Sequence, residues 1–237
     1  MTGAFSMALS MALGMAGALQ ARRPRARLGD CMGETATTRT RPIRLRHAAS
    51  LIVVREGPGP AAVLMGIRAA RHRFMPNRLV FPGGGVEHGD FSAPAARDVA
   101  PVTQAMLEKG ARCALARALG IAAARELAEE TGLSLGRPPA LDGLSYLCRA
   151  LTPTDLPIRY HARFLVAAAE TLEGTLGGSG ELEELAFYAL DDPALAALPW
   201  ITAQVLGELA LWLRLSAPER ALPRRTAIYR DRVRREE

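Results

Sequence analysis

An α/β fold is what this 237-residue sequence predicts. Three observations carry that reading. Two apolar segments, residues 48–55 and 61–68, flank the turn cluster Glu56-Gly57-Pro58-Gly59-Pro60, which is the layout of a hairpin. A glycine-rich loop, Pro82-Gly83-Gly84-Gly85, follows them. Residues 112–130 then hold mostly strong helix formers, and Gly132 stops the run because glycine takes the left-handed cap conformation cheaply.

Taken in order, residues 48–55 read as a buried first strand and 61–68 as its hairpin partner. The glycines of residues 82–85 form a loop that lets main chain approach a ligand closely. Residues 91–110 mix Pro94, Pro101 and Gly110 with short helical patches at 95–99 and 102–108. The helix of residues 112–130 is expected to be interrupted at Gly120. Residues 144–150 read as a strand and 152–157 as a loop. Residues 158–168 alternate and end in an apolar run, as a central strand does. A glycine-rich loop at 174–180 leads through Glu181 and Glu184 to a short strand at 187–190. Residues 199–214 form a helix carrying Trp200 and Trp212.

Composition bounds the rest. With 49% hydrophobic residues the chain can bury a sizeable core, as one large domain or one domain with extensions. Cys31, Cys113 and Cys148 are far apart and lack CxxC spacing, so reduced thiols and a cytoplasmic home are expected, not disulfides or zinc. The net charge of +6 is uneven. Eight arginines in residues 1–47 face only Asp30 and Glu34, and seven in 220–237 face Asp231, Glu236 and Glu237, so the middle is acidic. Residues 1–46 are expected as a flexible basic extension and 217–237 as a basic C-terminal tail. Without interleaved aromatic residues, these ends read as solvated and no nucleic-acid partner is expected. The apolar run 4–19, with Met7, Met11 and Met15 on one helical face, is short for a membrane span and precedes its arginines, the reverse of a secretory signal. It reads as a frayed helix, or as sequence upstream of a true start at Met32. A membrane-surface helix is the second reading, and no membrane partner is expected.

The chemistry sits on the long helix. Glu126, Glu129 and Glu130 stand at i, i+3 and i+4, so their carboxylates share one face. Three acids on one face repel unless a cation lies between them, and hard oxygen donors suit Mg²⁺ or Mn²⁺. The competing reading is a solvated acidic face. Arg125 is placed to pair with Glu129.

Gly84, Asp90 and the stretch from Arg125 to Leu133 together resemble the Nudix box, G-x5-E-x7-R-E-U-x-E-E-x-G-U with U aliphatic. Asp90 stands where the usual box has Glu, and 34 residues (91–124) stand where it has seven. This split box, with Phe74-Met75-Pro76-Asn77, Leu151-Thr152-Pro153 and residues 159–164, is similar to the branch that includes peroxisomal coenzyme A diphosphatases. The resemblance covers residues 48–215. It implies an α/β/α sandwich around a mixed sheet, with a helical insertion at 91–111 inside a domain spanning 47–216. It also implies metal-dependent hydrolysis of a nucleoside diphosphate-linked small molecule, of coenzyme A or acyl-coenzyme A in that branch. ADP-ribose, a dinucleotide polyphosphate or a nucleoside triphosphate are the alternative substrates, and a non-catalytic ligand-sensing module is the alternative class. By resemblance Gly84, Glu126, Glu129 and Glu130 hold the metal, and Arg125 braces the helix against a carboxylate. The catalytic base is Glu126, Glu129 or a late-loop acid, for which Glu181 stands first and Glu184 second. Arg68, Arg71 and Arg73 crowd a loop where guanidinium groups suit phosphate oxygens. Arg68, Arg73 and Arg163 are the substrate-side candidates, with Arg159 beside them; His161 is not expected to be a ligand. A homodimer is compatible with the resemblance.

Overall fold

The structure, a computed structural model, describes residues 45–71 and 75–237. The expectations for the apolar run 4–19, for Met32 and for Arg73 and Phe74 lie outside the described residues.

The chain runs β1 (Arg46–Arg55), β2 (Ala62–Arg68), β3 (Leu79–Val80), β4 (Gly83–Gly85), a 3-10 turn (Gly89–Phe91), α1 (Pro101–Glu108), α2 (Cys113–Thr131) and β5 (Leu133–Ser134). It continues with β6 (Ser145–Leu151), β7 (Tyr160–Ala168), β8 (Glu173–Gly174), β9 (Leu182–Ala189), α3 (Trp200–Leu213), α4 (Ala217–Arg220), β10 (Ala227–Arg230) and β11 (Val233–Glu236). The main sheet is ordered β11-β10-β6-β7-β1-β2-β3, with β4 paired to β1 and β9 to β2. β1 lies parallel to β7 and β10 parallel to β6, while the other pairs are antiparallel. The sheet is therefore mixed.

Period-two alternation on β1 explains the layers. Ala49, Leu51 and Val53 point to one face and pack with Leu119, Ala123 and Leu127 of α2. Ile52 and Val54 point to the other and pack with Val205, Leu209 and Trp212 of α3. A strand apolar on both faces is central, and two helices covering those faces make the α/β/α sandwich. Among the described residues no helix is long and apolar enough to cross a membrane.

Four local expectations need correction. The glycines 83–85 form β4 beside β1, with Ala49 opposite Gly84. α2 runs through Gly120 without a break. The glycine is there for packing, since a Cβ would come within 3.0 Å of Val99 Cγ2. Residues 95–99 are not helical; their main chain bonds with that of 139–141, through Ala96 N–H to Pro139 O and Leu141 N–H to Arg97 O. Finally, residues 217–237 are not a tail. Ala227 and Tyr229 alternate into the core, and the β10–β11 hairpin extends the sheet beyond β6. The arginines there are largely absorbed: Arg220 pairs with Glu56, Arg234 with Glu208, and Arg224 donates to the Tyr146 carbonyl.

Candidate active site

α2 turns Glu126 and Glu130 inward against β4. The Gly83 N–H donates to Glu130 Oε2 at 2.7 Å, and Glu130 is 1% exposed. A Cβ on Gly84 would lie 2.2 Å from Glu126 Oε1, so only glycine lets that carboxylate stand against the strand. Burial pushes the Glu130 carboxyl up to about 7, with Glu126 and Glu181 adding repulsion and the Gly83 N–H and Arg68 opposing it. Burial also raises Glu126, against the pull of Arg125.

Arg125 organises the rest of this face. Its Nε and Nη2 reach Asp90 Oδ1 and Oδ2 at 3.1 and 3.3 Å, and Nη2 also donates to Gly85 O at 2.9 Å. Its Nη1 donates to Glu126 Oε1 at 2.9 Å and Glu129 Oε2 at 3.1 Å. Burial opposes its charge, yet Asp90 and Glu126 hold it above its ordinary pKa. Asp90 is buried and also accepts from the Glu87 N–H at 2.7 Å. The expected helix brace is therefore Arg125 on Asp90, and the 34 residues between them leave this contact intact. Glu129 stays 58% exposed on its side chain.

Beside the glycines, on the α3 face of the sheet, opens a cleft of about 410 Å³. Phe81, Phe164, Tyr229 and Trp200 line it with Arg68 and Arg232. Trp200 is 42% exposed and meets Tyr229 edge-on at 5.7 Å. The sequence reading missed Trp200, Tyr229 and Arg232. The short apolar run Ala227-Ile228-Tyr229, set between Thr226 and Arg230, was the available signal.

The other expected residues divide. Glu181 comes to the carboxylates, close enough to raise the pKa of both Glu126 and Glu130. Its loop is tied down by Ala69 N–H to Glu181 O and by the Arg71 guanidinium to Gly180 O. Glu184 sits apart, near Tyr188. Arg68 donates to Gly83 O at 3.3 Å, lies 3.8 Å from Glu130 Oε1 and lines the cleft. Arg159 donates to Thr152 O and braces the loop at the cleft wall. Arg163 does not reach the cleft. It is 1% exposed, donates to Gly110 O and His161 O and meets His47 Nδ1 at 3.0 Å, and burial lowers its pKa to about 10. It pins the end of the insertion to the sheet, because its position on β7 faces α1 and not α3. His161 contacts Arg149 at 3.2 Å in the same buried network.

The donor set suits a hard divalent cation. Two carboxylates that burial keeps from ionising readily, half-buried Glu126 and buried Glu130, meet neighbouring glycines: Glu130 accepts the Gly83 N–H, and Glu126 fills the space a Cβ on Gly84 would take. Among the described residues no three His, Cys, Asp or Glu side chains stand close enough to form a cation site by themselves, as Arg125 holds Glu129 outward.

The fold is that of the Nudix hydrolases. The chain is similar to the Nudix hydrolase of Alicyclobacillus acidocaldarius, with 24% identity over 69% of this chain and 90% of that one and a TM-score of 0.54. More distant likenesses are the MutT protein of Methanosarcina mazei (15% identity, 72% and 96% covered, TM-score 0.48) and the Nudix domain of Shewanella oneidensis NrtR, solved with ADP ribose (15%, 72% and 89%, TM-score 0.46). No family model and no curated protein matches the sequence.

Proposed function

We propose that this chain is a pyrophosphohydrolase that uses Mg²⁺ or Mn²⁺ to cleave the diphosphate of a nucleoside diphosphate-linked compound. The observation that carries the reading is the seating of Glu126 and Glu130 against Gly83 and Gly84 at the edge of an aromatic cleft. Glu126, Glu130 and the Gly84 main chain would hold the metal, and Glu129 would join them on leaving Arg125. When bound, the ion neutralises phosphoryl oxygens and lowers the pKa of an attacking water. Arg68 steadies the diphosphate beside Gly83. Glu181, exposed and facing the buried pair, takes the proton as the water oxygen bonds to phosphorus and the anhydride P–O bond breaks. The leaving group departs as a phosphate monoester. The cleft takes the nucleoside.

Within that class we favour coenzyme A or an acyl-coenzyme A, on the split box and the residues 74–77 and 159–164. The test is competition among coenzyme A, ADP-ribose, a diadenosine polyphosphate and a nucleoside triphosphate at equal concentration with Mg²⁺ or Mn²⁺. Adenosine 3′,5′-bisphosphate and a phosphopantetheine product are expected first. Coenzyme A left intact while another compound is consumed rules out this branch and leaves the hydrolase reading standing.

A further inference from the structure

We infer that Arg232 is a specificity residue that holds a second phosphate of the substrate, one carried outside the scissile diphosphate. The inference rests on the hydrolase reading of the site. Arg232 lies at the tip of the β10–β11 hairpin. Asp231 and Arg232 have φ of +51° and +61°, the left-handed pair that a tight two-residue hairpin turn requires. Neither is glycine, and left-handed backbone costs such residues about 1 kcal/mol each, yet the turn sets Arg232 in the lining of the aromatic cleft.

Several charges near it are matched. Arg230 closes on Asp231 at 3.6 Å, Arg234 pairs with Glu208 and Glu236, and Arg220 pairs with Glu56. Arg232 has no hydrogen-bond or ion-pair partner among the described residues, and it is exposed.

Position decides what it can reach. Arg68 on β2 and the hairpin of Arg232 are separated in the sheet by β6, β7 and β1. From β2 to β10 is four strand spacings, about 19 Å between backbones. Both arginines nevertheless line one cleft, with Phe81, Phe164, Tyr229 and Trp200 between them. One diphosphate held beside Gly83 and Arg68 does not extend to the hairpin. A nucleoside in the aromatic section, stacked on the exposed face of Trp200, carries a further phosphate from its ribose toward Arg232. A guanidinium meets such a phosphate with paired donors.

Binding without catalysis tests this. Adenosine 3′,5′-bisphosphate and adenosine 5′-monophosphate differ by one phosphate, and each is titrated calorimetrically in EDTA into the full chain and into Arg232→Gln. The full chain is expected to prefer the bisphosphate by about tenfold or more, and Arg232→Gln to reduce that preference to about twofold with the monophosphate affinity unchanged. Equal affinities in the unmodified chain, no binding of either, or a preference that survives Arg232→Gln overturns the assignment. A parallel assay in Mg²⁺ compares coenzyme A with its 3′-dephospho form: the variant should raise KM for coenzyme A alone and leave kcat in place. Absence of all turnover defeats the hydrolase reading, while the calorimetric preference still decides the role of Arg232.

Discussion

Glu130 accepts the Gly83 N–H at 2.7 Å, so the acid of the helix is bound to the very strand that fronts the cleft. The bond survives Glu130→Gln, because an amide oxygen also accepts, whereas the charge does not. The variant is therefore expected to fold normally and to lose about a hundredfold or more in kcat/KM with Mg²⁺, since each ~1.4 kcal/mol of lost transition-state stabilisation is tenfold. Steady-state kinetics beside a thermal melt check both halves. Near-normal turnover would remove Glu130 from the metal site.

Asp90→Ala tests the brace. Asp90 is buried and meets two nitrogens of Arg125. Removing one partner of a buried pair leaves an uncompensated charge and costs about 3 kcal/mol or more. Denaturant unfolding should show that loss, and restoring the usual box residue with Asp90→Glu should recover only part of it, because an extra methylene in a packed site costs ~1–3 kcal/mol. Unchanged stability in Asp90→Ala would mean that Arg125 relies on its other acceptors.

How much of this is legible from sequence depends on period and length. The face of Glu126 and Glu130 is legible because helical spacing fixes it within one turn, and β1, β2 and β7 are legible because their apolar runs are long. β4 is illegible, as three glycines carry no side-chain pattern. The β10–β11 hairpin hides for a different reason: its strands have four residues each, Ile228 between Ala227 and Tyr229 leaves no apolar–polar alternation, and β11 is mostly charged and exposed. Arg163 misleads because arginine is seldom fully buried, so its partners His47, His161 and Gly110 cannot be foreseen without the parallel pairing of β1 and β7.

The buried basic network predicts acid sensitivity. His161 on β7 faces Arg149 of β6, His47 of β1 and its own strand's Arg163, and Glu237 lies on Arg149 as the counter-charge. Burial first, then these positive neighbours, lower its pKa to about 3. The unfolded chain therefore takes up the proton first as pH falls. Stability present at neutral pH is lost below the ordinary histidine value near 6.5, at up to about 1.4 kcal/mol per pH unit. Denaturant midpoints at pH 7 and pH 5 should differ accordingly, and His161→Gln should flatten that slope. An unchanged slope in the variant would place the acid-sensitive group elsewhere.

Removing residues 226–237 is expected to destabilise the fold severely. The cut strips the β10 partner from β6, takes the buried Ala227 and Tyr229 from the core and leaves Arg149 without Glu237. A fully buried large side chain alone is worth ~3–5 kcal/mol when truncated. A melting temperature within a few degrees of the full chain would show that the hairpin is dispensable for stability.

The most direct measurement follows anhydride cleavage of coenzyme A as the metal is removed and restored. The full chain is stripped with EDTA, assayed by mass spectrometry of products, and assayed again after Mg²⁺ or Mn²⁺ is added back in excess. Cleavage to adenosine 3′,5′-bisphosphate should vanish with EDTA, return with the metal and fail to return in Glu126→Gln. Cleavage that persists in EDTA, or in Glu126→Gln, would contradict a metal held by Glu126 and Glu130 against Gly84.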